Sequence, residues 1–111
     1  MKKILITLCI GLGISINSNA QCLKKVVNDE NTLLVDVRTP EEFEEETAKN
    51  AINIPVDELE NRVSELVDAK RIVVFCKSGK RAKQAKKILK RQKGIRKVYN
   101  GKTYEKVRNL Q

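Results

Sequence analysis

Apolar and polar positions fall in blocks along this chain, and the period changes from block to block. Thr32-Leu33-Leu34-Val35-Asp36-Val37 is a nearly continuous apolar run, the pattern of a strand covered on both faces. Thr39-Pro40-Glu41-Glu42 then carries an N-cap threonine, proline at the first helical position and glutamate at the third, so a helix starts there. Ala51-Ile52-Asn53-Ile54-Pro55 reads as a short strand closed by proline. Asp57 can cap a helix with Leu59, Val63, Leu66 and Val67 on one face. A second apolar run, Arg71 to Phe75, predicts another strand. A helix over residues 80–92 follows, with Ala82, Ala85, Ile88 and Leu89 as its apolar stripe and Gly94 as its end. Ile95 to Tyr99 is the last expected strand, Asn100-Gly101 a turn, and Thr103 to Leu110 a closing helix; Leu23 to Asn28 can form a short one. This alternation implies an α/β fold: a small, mainly parallel sheet of four or five strands flanked by helices.

The first twenty residues break the pattern and read as a signal peptide. Lys2 and Lys3 form a basic start, Ile4 to Ile16 an apolar core, and Ser18-Asn19-Ala20 a small-residue site cut before Gln21. Residues 21–111 are then the single domain, expected in a bacterial periplasm or outside the cell. The core is shorter than the roughly 18 residues of a membrane span, so no stable insertion is expected after cleavage. The alternatives are an uncleaved anchor and a lipoprotein modified on Cys22, which Gln21 suits poorly.

Charge adds a polarity. The chain carries a formal net charge of +9, but Glu41, Glu42, Glu44, Glu45 and Glu46 cluster in its first half. From Lys70 onward there are sixteen Lys/Arg and a single acid, Glu105. Such a half can bind anions or nucleic acid, or can be the solvated face of one helix. Histidine is absent, which removes Ser-His-Asp triads, Cys-His pairs and His-ligated metal sites. Two cysteines remain after cleavage, Cys22 and Cys76, and in an exported chain they can pair as a disulfide.

The chemistry concentrates at Phe75-Cys76-Lys77-Ser78-Gly79-Lys80-Arg81, where an apolar strand ends in cysteine and a short loop leads into a basic helix. Ligands of open α/β sheets bind just outside the carboxyl ends of the strands. A cysteine there meets the unpaired N–H groups of the loop and of the first helical turn. Those donors, with Lys77, Lys80 and Arg81, favour an anionic sulfur and attract an anionic substrate. An apolar strand ending in cysteine is otherwise a core feature; Ser78, Gly79 and the cations argue for a nucleophile.

The order of these motifs resembles the rhodanese (sulfurtransferase) domain in its small exported form. The matches are Leu34-Val35-Asp36-Val37-Arg38-Thr39-Pro40-Glu41-Glu42-Phe43, Ala51-Ile52-Asn53-Ile54-Pro55, Ile72 to Ala82, and Val98-Tyr99-Asn100-Gly101. The resemblance implies that Cys76 takes the outer sulfur of a small anionic donor such as thiosulfate, forms a persulfide and passes the sulfur to cyanide or a thiol. It calls for no cofactor. The N–H groups of residues 77–81 would form a nest for the sulfur. Lys77 and Lys80, with Ser78 and Gly79 between them, would hold the donor. Arg81 either points into the site or pairs with Asp36 as a structural support. Arg38 is a further candidate for substrate contact, or else a structural ion pair.

Three positions depart from the family pattern. Glu46-Thr47-Ala48-Lys49-Asn50 replaces Gly-His-Ile-Pro-Gly, Lys102 stands where a second glycine is usual, and Lys77 where arginine is common. Cys76 and Arg81 have four residues between them, whereas the phosphatases that share the fold use five to cradle a tetrahedral phosphate. A non-enzymatic persulfide carrier or an adaptor for a thiol-redox protein is the alternative function. Nucleic-acid binding is not expected, since aromatic content is 4% and no reader motif is present.

Overall fold

The computed structural model describes residues 16–111, with side chains from Gln21 onward. Lys2, Lys3 and all but the last residue of the expected signal core lie outside them. The elements are α1 (Ile16–Val27), β1 (Thr32–Asp36), α2 (Pro40–Glu45), β2 (Ile52–Asn53), a 3₁₀ segment (Val56–Glu65), β3 (Arg71–Cys76), α3 (Lys80–Lys90), β4 (Lys97–Thr103) and α4 (Tyr104–Leu110). The four strands form one parallel sheet in the order β2-β1-β3-β4.

Alternation along β3 sorts the core into two layers. Ile72, Val74 and Cys76 face Leu59, Leu66, Ala82, Ala85 and Leu89 of the 3₁₀ segment and α3. Val73 and Phe75 face Val26 and Val27 of α1 and Val107 of α4. Cys76 therefore points to the α3 layer while α1, which carries Cys22, covers the other. The two cysteines are not joined in a disulfide.

Local signals explain several boundaries. Thr39 and Glu42 close a capping box at the start of α2: the Glu42 N–H donates to Thr39 Oγ1 at 3.2 Å, and the Thr39 N–H to Glu42 Oε1 at 3.1 Å. Thr103 caps α4 through the Lys106 N–H.

Four expectations change. Helix α1 begins at Ile16 rather than Leu23 and crosses the expected cleavage point. The segment after Pro55 is 3₁₀ with a break at Arg62, not an α-helix capped by Asp57. It must run back along the sheet from β2 to β3, and 3₁₀ geometry rises about 2.0 Å per residue against 1.5 Å for an α-helix. Helix α3 ends at Lys90, and Gly94 (φ +85) turns the chain toward β4 instead of capping the helix. Finally, Asn100-Gly101 is no turn: β4 continues through it to Thr103 as a bulge. Among the described residues, no helix is long and apolar enough to cross a membrane.

Candidate active site at the Cys76 loop

Cys76 ends β3 and is fully buried, with its sulfur beneath the loop Lys77-Ser78-Gly79. Gly79 has φ +99, a left-handed conformation that glycine adopts without a Cβ penalty. It is the N-cap of α3 and offers no side chain to the helix's free N–H groups. Cys76 Sγ takes that role: it accepts from the Gly79 N–H at 3.0 Å and from the Ala82 N–H at 3.3 Å. The sulfur so sits at the start of an eleven-residue helix, where it accepts from N–H groups that no other side chain caps. The nest expected from residues 77–81 is thus made by Gly79 and by Ala82, one residue beyond that range. Lys77, Ser78 and Lys80 are exposed around the loop, so their side chains rim the site rather than fill it.

Two arginines near the carboxyl edge of the sheet are held in ion pairs. Arg38, 3% exposed, donates from Nε to Asp36 Oδ1 and from Nη2 to Asp36 Oδ2 at 3.0 and 2.7 Å. Nη2 also donates to the Glu46 carbonyl, and the guanidinium lies 4.1 Å from the Tyr104 ring centroid. Burial alone would lower the Arg38 pKa, but the Asp36 carboxylate outweighs it and the net direction is up. Asp36 is fully buried and also accepts from the Arg38 N–H and Thr47 Oγ1. Of the two roles open to Arg38, the ion pair is the geometry the structure shows, and Asp36 is its partner.

Arg81 does neither of the two things expected of it. Its guanidinium grips Glu42 in a two-point pair, Nη1 to Oε1 at 2.8 Å and Nη2 to Oε2 at 3.1 Å. Asp36 is already taken by Arg38, while Glu42 is presented by the capping box at the mouth of the site. The Arg81 pair holds the Glu42 carboxyl down at about 2, and Glu42 in turn raises the Arg81 pKa. The first turn of α3 is thereby tied to the first turn of α2.

Glu42 and the Ala82 N–H belong to the site although sequence reasoning left them outside it. Glu42 was readable as a cap, but its second partner lies 39 residues away. A surface cleft lined by Glu30, Thr32, Glu65, Asp68 and Lys70 lies at the opposite ends of the strands, away from Cys76.

A buried cysteine at the carboxyl edge of a parallel sheet, held by the N–H groups of the following helix, defines a cysteine-loop α/β protein. The family follows from comparison: a rhodanese-like domain matches residues 19–110, and the chain belongs to that family. It is similar to the putative sulfur carrier protein YrkF of Bacillus subtilis, 38% identical over 77 residues, covering 69% of this chain and 41% of the relative. It is similar also to the thiosulfate sulfurtransferase PspE of Escherichia coli, 40% identical over 57 residues, covering 50% and 55%. This chain thus spans about half the length of these relatives. A sulfurtransferase of Allochromatium vinosum is 34% identical, covering 69% of this chain and 71% of the relative. Among solved structures, one described as rhodanese with anions from E. coli superposes with a TM-score of 0.60 at 34% identity, covering 68% of this chain and 89% of that one.

Proposed function

We propose that this protein is a sulfurtransferase whose nucleophile is Cys76. The observation that carries the reading is the sulfur itself, held by the Gly79 and Ala82 N–H groups beneath a loop rimmed by Lys77 and Lys80. In the first half-reaction the Cys76 thiolate attacks the outer sulfur of thiosulfate. The donor's S–S bond breaks, sulfite leaves with the electron pair, and Cys76 becomes a persulfide. In the second, cyanide or a thiolate attacks the outer persulfide sulfur, and Cys76 leaves as the thiolate it was. Lys77 and Lys80 would meet the sulfite end, and the N–H pair would hold the sulfur's charge in both resting states. Arg81 acts through Glu42 as a positioning residue for the loop.

The relatives named sulfurtransferase support this reading. A second reading, a carrier that hands its persulfide to a protein thiol, is favoured by the full burial of Cys76 and by the relative named a putative sulfur carrier. Thiocyanate formation from thiosulfate and cyanide separates the two. The enzyme turns over many times, whereas a carrier loads once and releases sulfur only to its partner. Cys76→Ser should abolish either activity with the fold retained, and Cys22→Ser should keep most of it. Wild-type turnover in Cys76→Ser would refute the proposal.

The exported setting is part of the same proposal. N-terminal sequencing of the secreted or periplasmic protein should begin at Gln21. Met1 on cytoplasmic protein would contradict it.

A further inference from the structure

Strand β4 is irregular at the level of the site. Val74 pairs with Asn100 but Phe75 pairs with Lys102, so Gly101 is the extra residue of a bulge. Glycine is required there: a Cβ would lie 2.7 Å from Val107 Cγ2 and 2.8 Å from Val73 Cγ1. The next residue, Lys102, has φ +69, a conformation that favours glycine, yet it carries a long charged side chain. Its N–H donates to Asn100 Oδ1 at 2.8 Å, a local bond that helps hold the bulge. A strained residue persists where the surrounding structure dictates it, and such residues gather at functional sites.

The bulge brings Lys102 against the loop. A Cβ built on Gly79 would lie 3.8 Å from Lys102 Cβ and 3.9 Å from its Cα. The Gly79 N–H is the nearer of the two donors to Cys76 Sγ. Lys102 is exposed, and among the described residues it pairs with no carboxylate. Its flexible four-carbon stem starts beside the loop that covers the sulfur. Lys77 and Lys80 flank the same loop from the α3 side.

We infer that Lys102 is a substrate-binding residue, a cation supplied by β4 that draws the anionic end of the sulfur donor onto the Cys76 loop. The inference rests on the sulfurtransferase reading for the donor's identity, but its charge effect on Cys76 can be measured without it. Three variants separate charge from shape. Lys102→Met keeps a long side chain and the strain, Lys102→Gly removes both, and Lys102→Arg keeps the charge. Thiosulfate KM should rise about threefold to fivefold in the Met and Gly variants, as expected for one partly screened charge, and stay near wild type in Lys102→Arg.

The deciding readout is the rate of Cys76 modification by anionic iodoacetate relative to neutral iodoacetamide, quantified on the Cys76 peptide. That ratio should fall by a similar factor in Lys102→Met and Lys102→Gly and hold in Lys102→Arg. Lys97→Gln, at the far end of β4, should leave it unchanged. A wild-type ratio in Lys102→Met overturns the inference and leaves the sulfurtransferase reading standing. Wild-type protein that never takes sulfur from thiosulfate overturns that reading instead, and the alkylation ratio still decides the role of Lys102.

Discussion

Cys76 and the two arginines near it are each committed to a partner that limits what they can do. Cys76 Sγ caps α3, Arg38 is held by Asp36 and Tyr104, and Arg81 by Glu42. The Glu42–Arg81 pair makes a pH prediction. The Glu42 carboxyl falls from 4.5 to about 2 because Arg81 donates to it, with Thr39 adding to the effect. A folded value below the unfolded one means the stabilisation is complete above about pH 4.5 and is lost as pH falls toward 2. The side chains are 34% and 28% exposed, so solvent screening limits the pair to about 1 kcal/mol. Glu42→Gln should therefore lower stability by about that much at pH 7 in urea unfolding, and the deficit should shrink as wild type and variant are compared nearer pH 2. An equal deficit at both pH values would remove Glu42 ionisation from the account. At this scale the placement of Cys76 and its neighbouring lysines on one loop was legible because strand, loop and helix follow one another in the chain. The partners of Arg38 and Arg81 were not equally so. Asp36 sits two residues from Arg38, but choosing between Asp36 and Glu42 for Arg81 depends on how α2 and α3 pack.

Elements were legible where a local rule sufficed and misread where a distant neighbour decided. The apolar runs of β1 and β3, the Thr39 capping box and the Ala82–Ala85–Leu89 stripe of α3 obey local periodicity. Asn100-Gly101 has the composition of a hairpin turn, yet Val73 and Val107 close on Gly101 and keep the strand going. Likewise Leu59, Val63 and Leu66 suit an α-helix, while the path from β2 to β3 demands the longer 3₁₀ rise. The bulge predicts opposite signs at adjacent positions. Gly101→Ala must displace two core valines and should cost about 1–3 kcal/mol. Lys102→Gly relieves a left-handed residue and should gain up to about 1 kcal/mol. Thermal unfolding of the two variants tests this, and a stability loss in Lys102→Gly would contradict the strain assigned to Lys102.

Over the whole molecule, the acidic and basic halves of the sequence meet across the fold. Glu42 pairs with Arg81, Glu46 with Arg108 and Asp29 with Arg71. The cations left over include Lys77, Lys80 and Lys102 around the loop, all exposed. The charge separation was visible in the sequence, and Lys77 and Lys80 follow from the loop after β3, but Lys102 joins them only through the β4 bulge. If this rim gathers anions, thiosulfate KM should climb with ionic strength in wild type and more weakly in the Lys77→Gln/Lys80→Gln double variant. Parallel salt curves would mean that the rim only solvates the surface. The central claim is that Cys76 accepts sulfur, and mass spectrometry of the protein after incubation with thiosulfate tests it most directly. The account predicts a gain of one sulfur atom, mapped to the Cys76 peptide, released by cyanide and absent in Cys76→Ser. No added sulfur on wild-type Cys76, or the same gain in Cys76→Ser, would contradict it.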